Sequence, residues 1–477
     1  TTRDAQPVEP RYVSTVDSGN LVASLISVRQ ALRELPDRAH PIVRTLRGLT
    51  DELAAMRRQL FANGVSNEDY AIRNLIASLD RADAVLSDSK NPLGALHELD
   101  RRCCVEIERA FLSVLDENPI RWSAEEISHF RENDRVFRLR IRVILDDLQR
   151  FAPWVERLSM PPAMLSSPEF RDALGALTDY LNIVRDTRDL APRLEAAGNL
   201  ITELIVRLSP TTEKDRDSEV GTWLEAMLRD IRHALAALDK LDLARKKLIK
   251  IITEQIDATD FRFLYDSTRN LFGVGYNAST GENDSSYYDL LASEARIASY
   301  VAIAKGDVPA KHWMYLGRPL TRIRGLRILL SWSATAFEYL MPRLILQSPS
   351  TGLLNQSCAG VVREQIRFGQ RHGVPWGVSE SGYAQFDQQN HYQYFAFGIP
   401  KLGLKWDQGE RLVISSYSSA LALAYAPDET LRNLRKLTGL GAAAHYGLYE
   451  ALDFGEAQKP RPDRPRVVQS YMAHHQG

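Results

Sequence analysis

Apolar residues recur three and four positions apart over most of the first half of the chain, beginning with Leu21, Leu25, Val28 and Leu32. That spacing puts them on one stripe of a 3.6-residue period, so each such segment predicts an amphipathic helix whose apolar face needs a partner. The period returns over Ile42 to Leu60, Ile72 to Leu86, Arg102 to Leu115, Ala124 to Phe151 and Trp223 to Ile252. Breaks fall at Leu35-Pro36-Asp37, Asn91-Pro92, Ser159-Met160-Pro161-Pro162 and Ser209-Pro210-Thr211-Thr212, where proline turns the preceding residue away from helix. No strict heptad persists. A bundle of roughly six to eight helices with solvated charged faces is therefore expected, not a long coiled coil.

The pattern changes after Phe261. Phe261-Arg262-Phe263-Leu264-Tyr265-Asp266 and Leu271-Phe272-Gly273-Val274-Gly275-Tyr276 flank a polar turn, which predicts a β-hairpin. Helical periods resume at Asp289 to Ile303, Ser331 to Leu344, Cys358 to His372, Ser418 to Ala424, Pro427 to Leu437 and Tyr446 to Ala451, separated by glycine or proline loops. Strand signals never alternate regularly with helices, so the expectation is all-α with long loops. Composition sharpens this picture. Residues 1–256 hold 7 of the 27 glycines and 3 of the 18 tyrosines, so shaped, ring-rich loops concentrate in the shorter second part.

Charge excludes more than it suggests. With 60 Lys and Arg against 61 Asp and Glu, the net charge of -1 leaves no basic footprint for a phosphate backbone, and no nucleic-acid partner is expected. Cys103, Cys104 and Cys358 form no CxxC or Cys/His spacing, which fits a reducing compartment and no zinc. No apolar run is long enough to span a bilayer, and no secretion-signal pattern opens the chain. A start at Thr1 and an end inside an apparent motif suggest a piece of a longer polypeptide. The adjacent His474 and His475 cannot face one metal as an i, i+4 pair does, Gly273-Val274-Gly275 lacks a third glycine and a following helix, and no GxSxG occurs. Neither metal nor cofactor is expected.

Carboxylates set in apolar or aromatic text are the informative residues, because burying one is costly unless it is paired or used. Glu294, with Asp289 five residues before it and Arg296 two after, is either a site acid or part of a helix start with a Glu-Arg surface pair. Glu338 lies between Phe337 and Tyr339 and reads equally as a structural or a substrate-binding acid. Glu380 lies in the glycine-punctuated loop Gly373 to Tyr383 with two aromatic rings, and Asp387 follows as a site acid or a turn residue. Paired carboxylates with aromatics suit glycoside chemistry, since one acid protonates the leaving oxygen while the other attacks or activates a nucleophile. Trp313, Arg318, Trp376, Tyr383, Gln388, Tyr392, Gln393 and Tyr394 supply the stacking faces and hydrogen bonds that a sugar needs.

Several segments together resemble the glycoamylase-like transglycosylation (cyclisation) domain of cyclic β-1,2-glucan synthases, a family related to β-1,2-glucanases. They are Arg11 to Leu21 (RYVSTVDSGNL), Phe263 to Asp266 (FLYD), Tyr288 to Arg296 (YDLLASEAR), Phe337 to Pro342 (FEYLMP), Val374 to Ser381 (VPWGVSES) and Met472 to Gly477 (MAHHQG). The resemblance implies an (α/α)6 barrel interrupted in sequence, with residues 1–39 as its first helix, 40–256 as an inserted helical bundle and 257–477 as the remainder. It implies an anomer-retaining transfer that cuts linear β-1,2-glucan and rejoins it as a ring, with Glu294 as nucleophile and Glu380 as acid/base, about 5 to 5.5 Å apart. Asp17, Asp289, Glu338, Asp387, His474 and the tryptophans and tyrosines would bind sugar. It further implies glycosyltransferase and phosphorylase-like domains in the same polypeptide, at the cytoplasmic face of the inner membrane. A hydrolytic β-1,2-glucanase and a non-catalytic glucan-holding module remain as alternatives.

Overall fold

The computed structural model describes residues 9–35, 42–62, 69–87, 92–117, 123–168, 170–182, 189–208, 219–347, 349–405, 411–444, 446–456, 458–459 and 463–476. They are mostly helical, with short strands gathered into six small sheets, and the chain divides into two compact units: Thr1–Gln30 with Ile251–Gly477, and Ala31–Lys250. None of the described helices is long and apolar enough to cross a membrane.

Among its described residues, unit 31–250 has helices joined by turns and no strand. Helices Ile42–Ala62, Tyr70–Ser87 and Ala124–Phe151 follow the apolar stripes, and the last starts at a capping box in which Ser123 and Glu126 satisfy each other's backbone amides. Leu49, Met56, Leu75, Leu79, Phe137, Ile201 and Leu224 meet in one core, where Trp154 donates its indole N–H to the Leu181 carbonyl at 3.1 Å. Helices Pro92–Glu98 and Leu190–Leu208 go beyond the sequence expectation, because each carries proline in its first turn, where no N–H is needed.

In the other unit, strand Tyr12–Ser14 pairs antiparallel with Gly275–Asn277, and the Thr15 hydroxyl donates to the Gly273 carbonyl at 2.7 Å. Helix Thr15–Glu34 thereby joins a core made by residues some 250 positions later, including Phe261, Phe272, Ile297 and Val301. Gly19 is the contact point. A Cβ there would stand 2.4 Å from the Ala298 Cβ and 2.5 Å from its Cα, in the helix Arg296–Lys305. Backbone cannot yield to it, so Gly19→Ala is expected to cost about 1–3 kcal/mol, visible as a lower Tm. An unchanged Tm would contradict this packing.

The expected hairpin is present as Tyr265–Asp266 with Leu271–Gly273, closed through Asn270 at φ +58°. Other expectations change. The helix anticipated from Asp289 begins only at Arg296, because residues 289–291 run beside Gly317, with Gly317 N–H to the Asp289 carbonyl at 2.6 Å and Leu291 N–H to the Gly317 carbonyl at 2.9 Å. Of Ser331 to Leu344, only Ala336–Leu340 is α-helical, followed by a 3-10 turn at Met341–Leu344. Tyr446 to Ala451 is not helix: Gly447–Leu448 and Ala451–Glu456 are strands, the latter lying between Arg411–Ser415 and Arg466–Val468.

Candidate active site

Glu294 sits in the turn between the extended run 289–291 and helix Arg296–Lys305. Arg296 beneath it is buried, and its guanidinium donates to the carbonyls of Ser293 (2.7 Å), Glu338 (2.7 Å) and Tyr339 (2.6 Å). Arg296 thus ties the Glu294 turn to the Glu338 segment; neither the Glu-Arg surface pair nor a helix start at Asp289 forms. Glu338 is the third residue of a capping box with Thr335. Its carboxylate accepts from the Ser331 hydroxyl (2.8 Å) and the amides of Ser333 (3.1 Å) and Thr335 (2.9 Å), so it shapes the loop 331–335.

Glu380 begins strand Glu380–Phe386, and the loop before it is held by two buried amide side chains. Gln365 brackets Val378, donating to its carbonyl and accepting from its N–H, both at 2.7 Å, while Asn433 does the same for Trp376 at 2.7 and 3.0 Å. In the partner strand Tyr392–Ala396, Tyr394 stands opposite Gly382, on the Glu380 side of the ladder. Its hydroxyl donates to Glu380 Oε2 at 3.1 Å.

These acids share one electrostatic environment. Burial, reinforced by the Glu294 charge, pushes both Glu338 and Glu380 up to about 7, and burial also raises Glu294. The Tyr288 hydroxyl is raised by burial and then by the charges of Glu294, Tyr12, Asp17 and Glu380. His474 is lowered by burial and by His475, while Glu450 and Asp17 act in the opposite sense. Asp17, from the first turn of Thr15–Glu34, therefore reaches the same site as Glu294 and Glu380.

Other sequence candidates make contacts of their own. Trp376 is buried in a core with Leu340 and Val361, and Arg318 donates to the Trp313 carbonyl (2.7 Å) at the end of helix Lys311–Tyr315. Trp313 packs beside that core, edge-on to Tyr300. Tyr383 faces away from Glu380, edge-on to Phe397, and hydrogen-bonds Gln393 at 2.6 Å. Asp387 accepts from the amides of Gln389 and His391 at 2.9 and 2.8 Å, closing the hairpin tip that also carries exposed Gln388 and, tilted against Phe386, Tyr392. Seven extended residues put that tip on the order of 20 Å from Glu380. Asp289 accepts from the indole of exposed Trp332 at 2.9 Å.

Sequence reasoning passed over Trp332, Tyr417 and Glu450, used Tyr288 only within a motif, and weighed His475 only there and as a metal ligand. Tyr417 lies 2.8 Å from Ser379 Oγ and 2.9 Å from the Glu380 carbonyl, and the His475 ring stacks on it at 3.9 Å. Glu450 was hidden by the helix anticipated over Tyr446 to Ala451. The strand that follows it, Ala451–Glu456, is buried on both faces over Ala451 to Phe454, so it has no alternating pattern to mark it.

A family model described as a putative glucoamylase matches residues 286–477, the stretch that carries Glu294, Glu338 and Glu380. Residues 286–477 are therefore similar to that family. The chain is also 32% identical over 484 residues to the cyclic beta-(1,2)-glucan synthase NdvB of Rhizobium meliloti (strain 1021), an alignment that covers all of this chain and 14% of that protein. Among solved structures, an endo-beta-1,2-glucanase from Talaromyces funiculosus in complex with sophorose aligns with a TM-score of 0.39 and 11% identity, over 61% of this chain and 72% of that one. The matched stretch thus contains the acid cluster, and Asp17 comes to it from outside the matched residues.

Proposed function

We propose that the unit built around the matched stretch cuts linear β-1,2-glucan and rejoins the new end to the chain's own non-reducing terminus, releasing a ring. The observation that carries this reading is the half-buried pair Glu294 and Glu380, where desolvation first and the Glu294 charge second push the Glu380 carboxyl up to about 7. In the first step the Glu294 carboxylate bonds to the anomeric carbon while Glu380 gives its proton to the departing glycosidic oxygen. In the second, Glu380 takes the proton of an incoming 2-hydroxyl, whose oxygen displaces Glu294, and the anomeric configuration is retained. Identity to the cyclic glucan synthase over the whole chain supports β-1,2-glucan as substrate. Asp17, Tyr288 and His474 lie near the pair as sugar-binding groups.

In this reading the unit is an (α/α)6 barrel, residues 40–256 are an inserted bundle, and the chain works within a larger membrane-associated synthase beside its other domains. Incubation with linear β-1,2-glucan tests the activity. Rings without new reducing ends are expected. New reducing ends would mean hydrolysis, and an unchanged polymer would leave only a holding role. Azide added to Glu294→Ala and Glu380→Ala variants assigns the two roles: a glycosyl azide of inverted configuration is expected from the first and of retained configuration from the second, and the opposite pattern would exchange them.

A further inference from the structure

We propose that His475 and Glu450 are positioning residues for Glu380, acting through Tyr417 and the opening of strand Glu380–Phe386; this rests on the role given to Glu380 above. The two side chains are fully shielded from solvent, with His475 Nδ1 2.8 Å from Glu450 Oε1. A buried pair of this kind gains little net stability, because its desolvation offsets its attraction, so its placement is the informative feature.

That placement fixes Glu380 at three points. The His475 ring lies on Tyr417 with 18° between planes. Ser379 Oγ accepts from the Phe337 N–H at 3.0 Å, which leaves its own proton for Tyr417 and the Tyr417 proton for the Glu380 carbonyl, an acceptor only. Two residues on, Glu450 Oε1 accepts from the Gly382 N–H at 3.4 Å, and the Glu450 side chain packs 3.7 Å from where a Gly382 Cβ would stand. The third point is Tyr394, bonded to the Glu380 carboxylate, with its ring 6.3 Å from His475 and nearly parallel to it. The Glu450 backbone is itself anchored, accepting from Ser416 N–H and donating to Ser470 O, both at 3.0 Å. One buried dyad therefore holds the carbonyl of Glu380, the amide two residues beyond it and the ring beside its carboxylate. Glu294 and Glu338 face the same carboxylate from other elements, so a small swing of Glu380 changes its distance to both.

The test compares wild type with Glu450→Gln, His475→Gln, Tyr417→Phe and the His475→Gln/Tyr417→Phe double variant on linear β-1,2-glucan. It also follows the Glu380 carboxyl titration by 13C NMR, which needs no substrate. Each single variant is expected to lose roughly tenfold or more in kcat with KM within about twofold of wild type. The double variant should be no slower than the worse single, since both act through one route. Tyr417→Phe keeps the ring stack and loses only the hydroxyl, so it tests the route even if the His475 variant fails to fold. In His475→Gln the Glu380 midpoint should fall below its raised wild-type value, because a Glu380 that swings away loses part of its burial and its closeness to Glu294. An unmoved midpoint, an unchanged kcat, a rise confined to KM, or losses that multiply in the double variant would each overturn the proposal. A wild type inert on the glucan whose midpoint still moves on substitution would refute the catalytic reading and leave the positioning role standing.

Discussion

Replacing Glu380 with glutamine is expected to lower turnover of linear β-1,2-glucan by roughly 10²- to 10⁴-fold, the usual worth of a general acid/base, with the fold retained. The pH dependence follows from its environment. Glu380 must carry a proton to protonate the leaving oxygen, and burial beside the Glu294 charge pushes its pKa up to about 7. Wild-type kcat should therefore fall as pH rises through about 7, and it should also fall on the acid side above the ordinary carboxylate range, because burial raises Glu294, which must be ionised. The same shift has a stability sign. Between the ordinary value of 4.5 and about 7 the folded state holds a proton that the unfolded state has released, so stability drops as pH rises through that window. Glu380→Gln, with no charge to bury, should consequently melt above wild type at pH 8. Undiminished turnover by this variant would sink the catalytic assignment, and a melting temperature at or below wild type at pH 8 would sink the electrostatic account.

The second large effect is on folding. Gly377→Ala is expected to destabilise the protein by roughly 2–4 kcal/mol, combining backbone strain with overlap. Gly377 has φ +133°, and a Cβ there would lie 2.5 Å from Ser418 Oγ and 3.0 Å from the Ser415 carbonyl. Its own carbonyl accepts from Ser415 N–H at 2.9 Å, so the loop cannot step away without losing that bond. Because Glu380 follows three residues later, activity should fall with stability. Gly175→Ala is the control: it lies in helix Arg171–Leu181 with open space around the new methyl, and is expected to be neutral or stabilising by up to about 1 kcal/mol. Denaturant melts of the two variants separate these cases, and equal midpoints would contradict the geometry at Gly377.

Much of this molecule was legible along the chain because helix periodicity and turn chemistry are local. Ala124–Phe151 has the limits that its apolar stripe implies, the hairpin at Tyr265–Phe272 follows its aromatic runs, and Glu294, Glu338 and Glu380 stand out as carboxylates in apolar or aromatic text. What escaped was what depends on neighbours distant in sequence. An aromatic residue reads alike whether it faces a core or a cleft, so Trp376 looked like a sugar platform although its loop is pinned inward by Asn433, while Tyr417 and Trp332 went unread. The period in Tyr446 to Ala451 suited a helix until pairing with Arg411–Ser415 and Arg466–Val468 made its end a central strand.

By itself, then, the sequence determined which segments can be helices, where the shaped loops concentrate and which acids are costly to bury, since each depends on residues within a turn or two of one another. Only the tertiary structure decided which acids meet. Asp17 approaches Glu294 and Glu380 because strand Tyr12–Ser14 pairs with Gly275–Asn277 and Gly19 lets one helix lie against the backbone of another. The raised pKa of Glu380 likewise exists only once burial and the Glu294 charge act on it together, and neither can be read from the position of a residue along the chain.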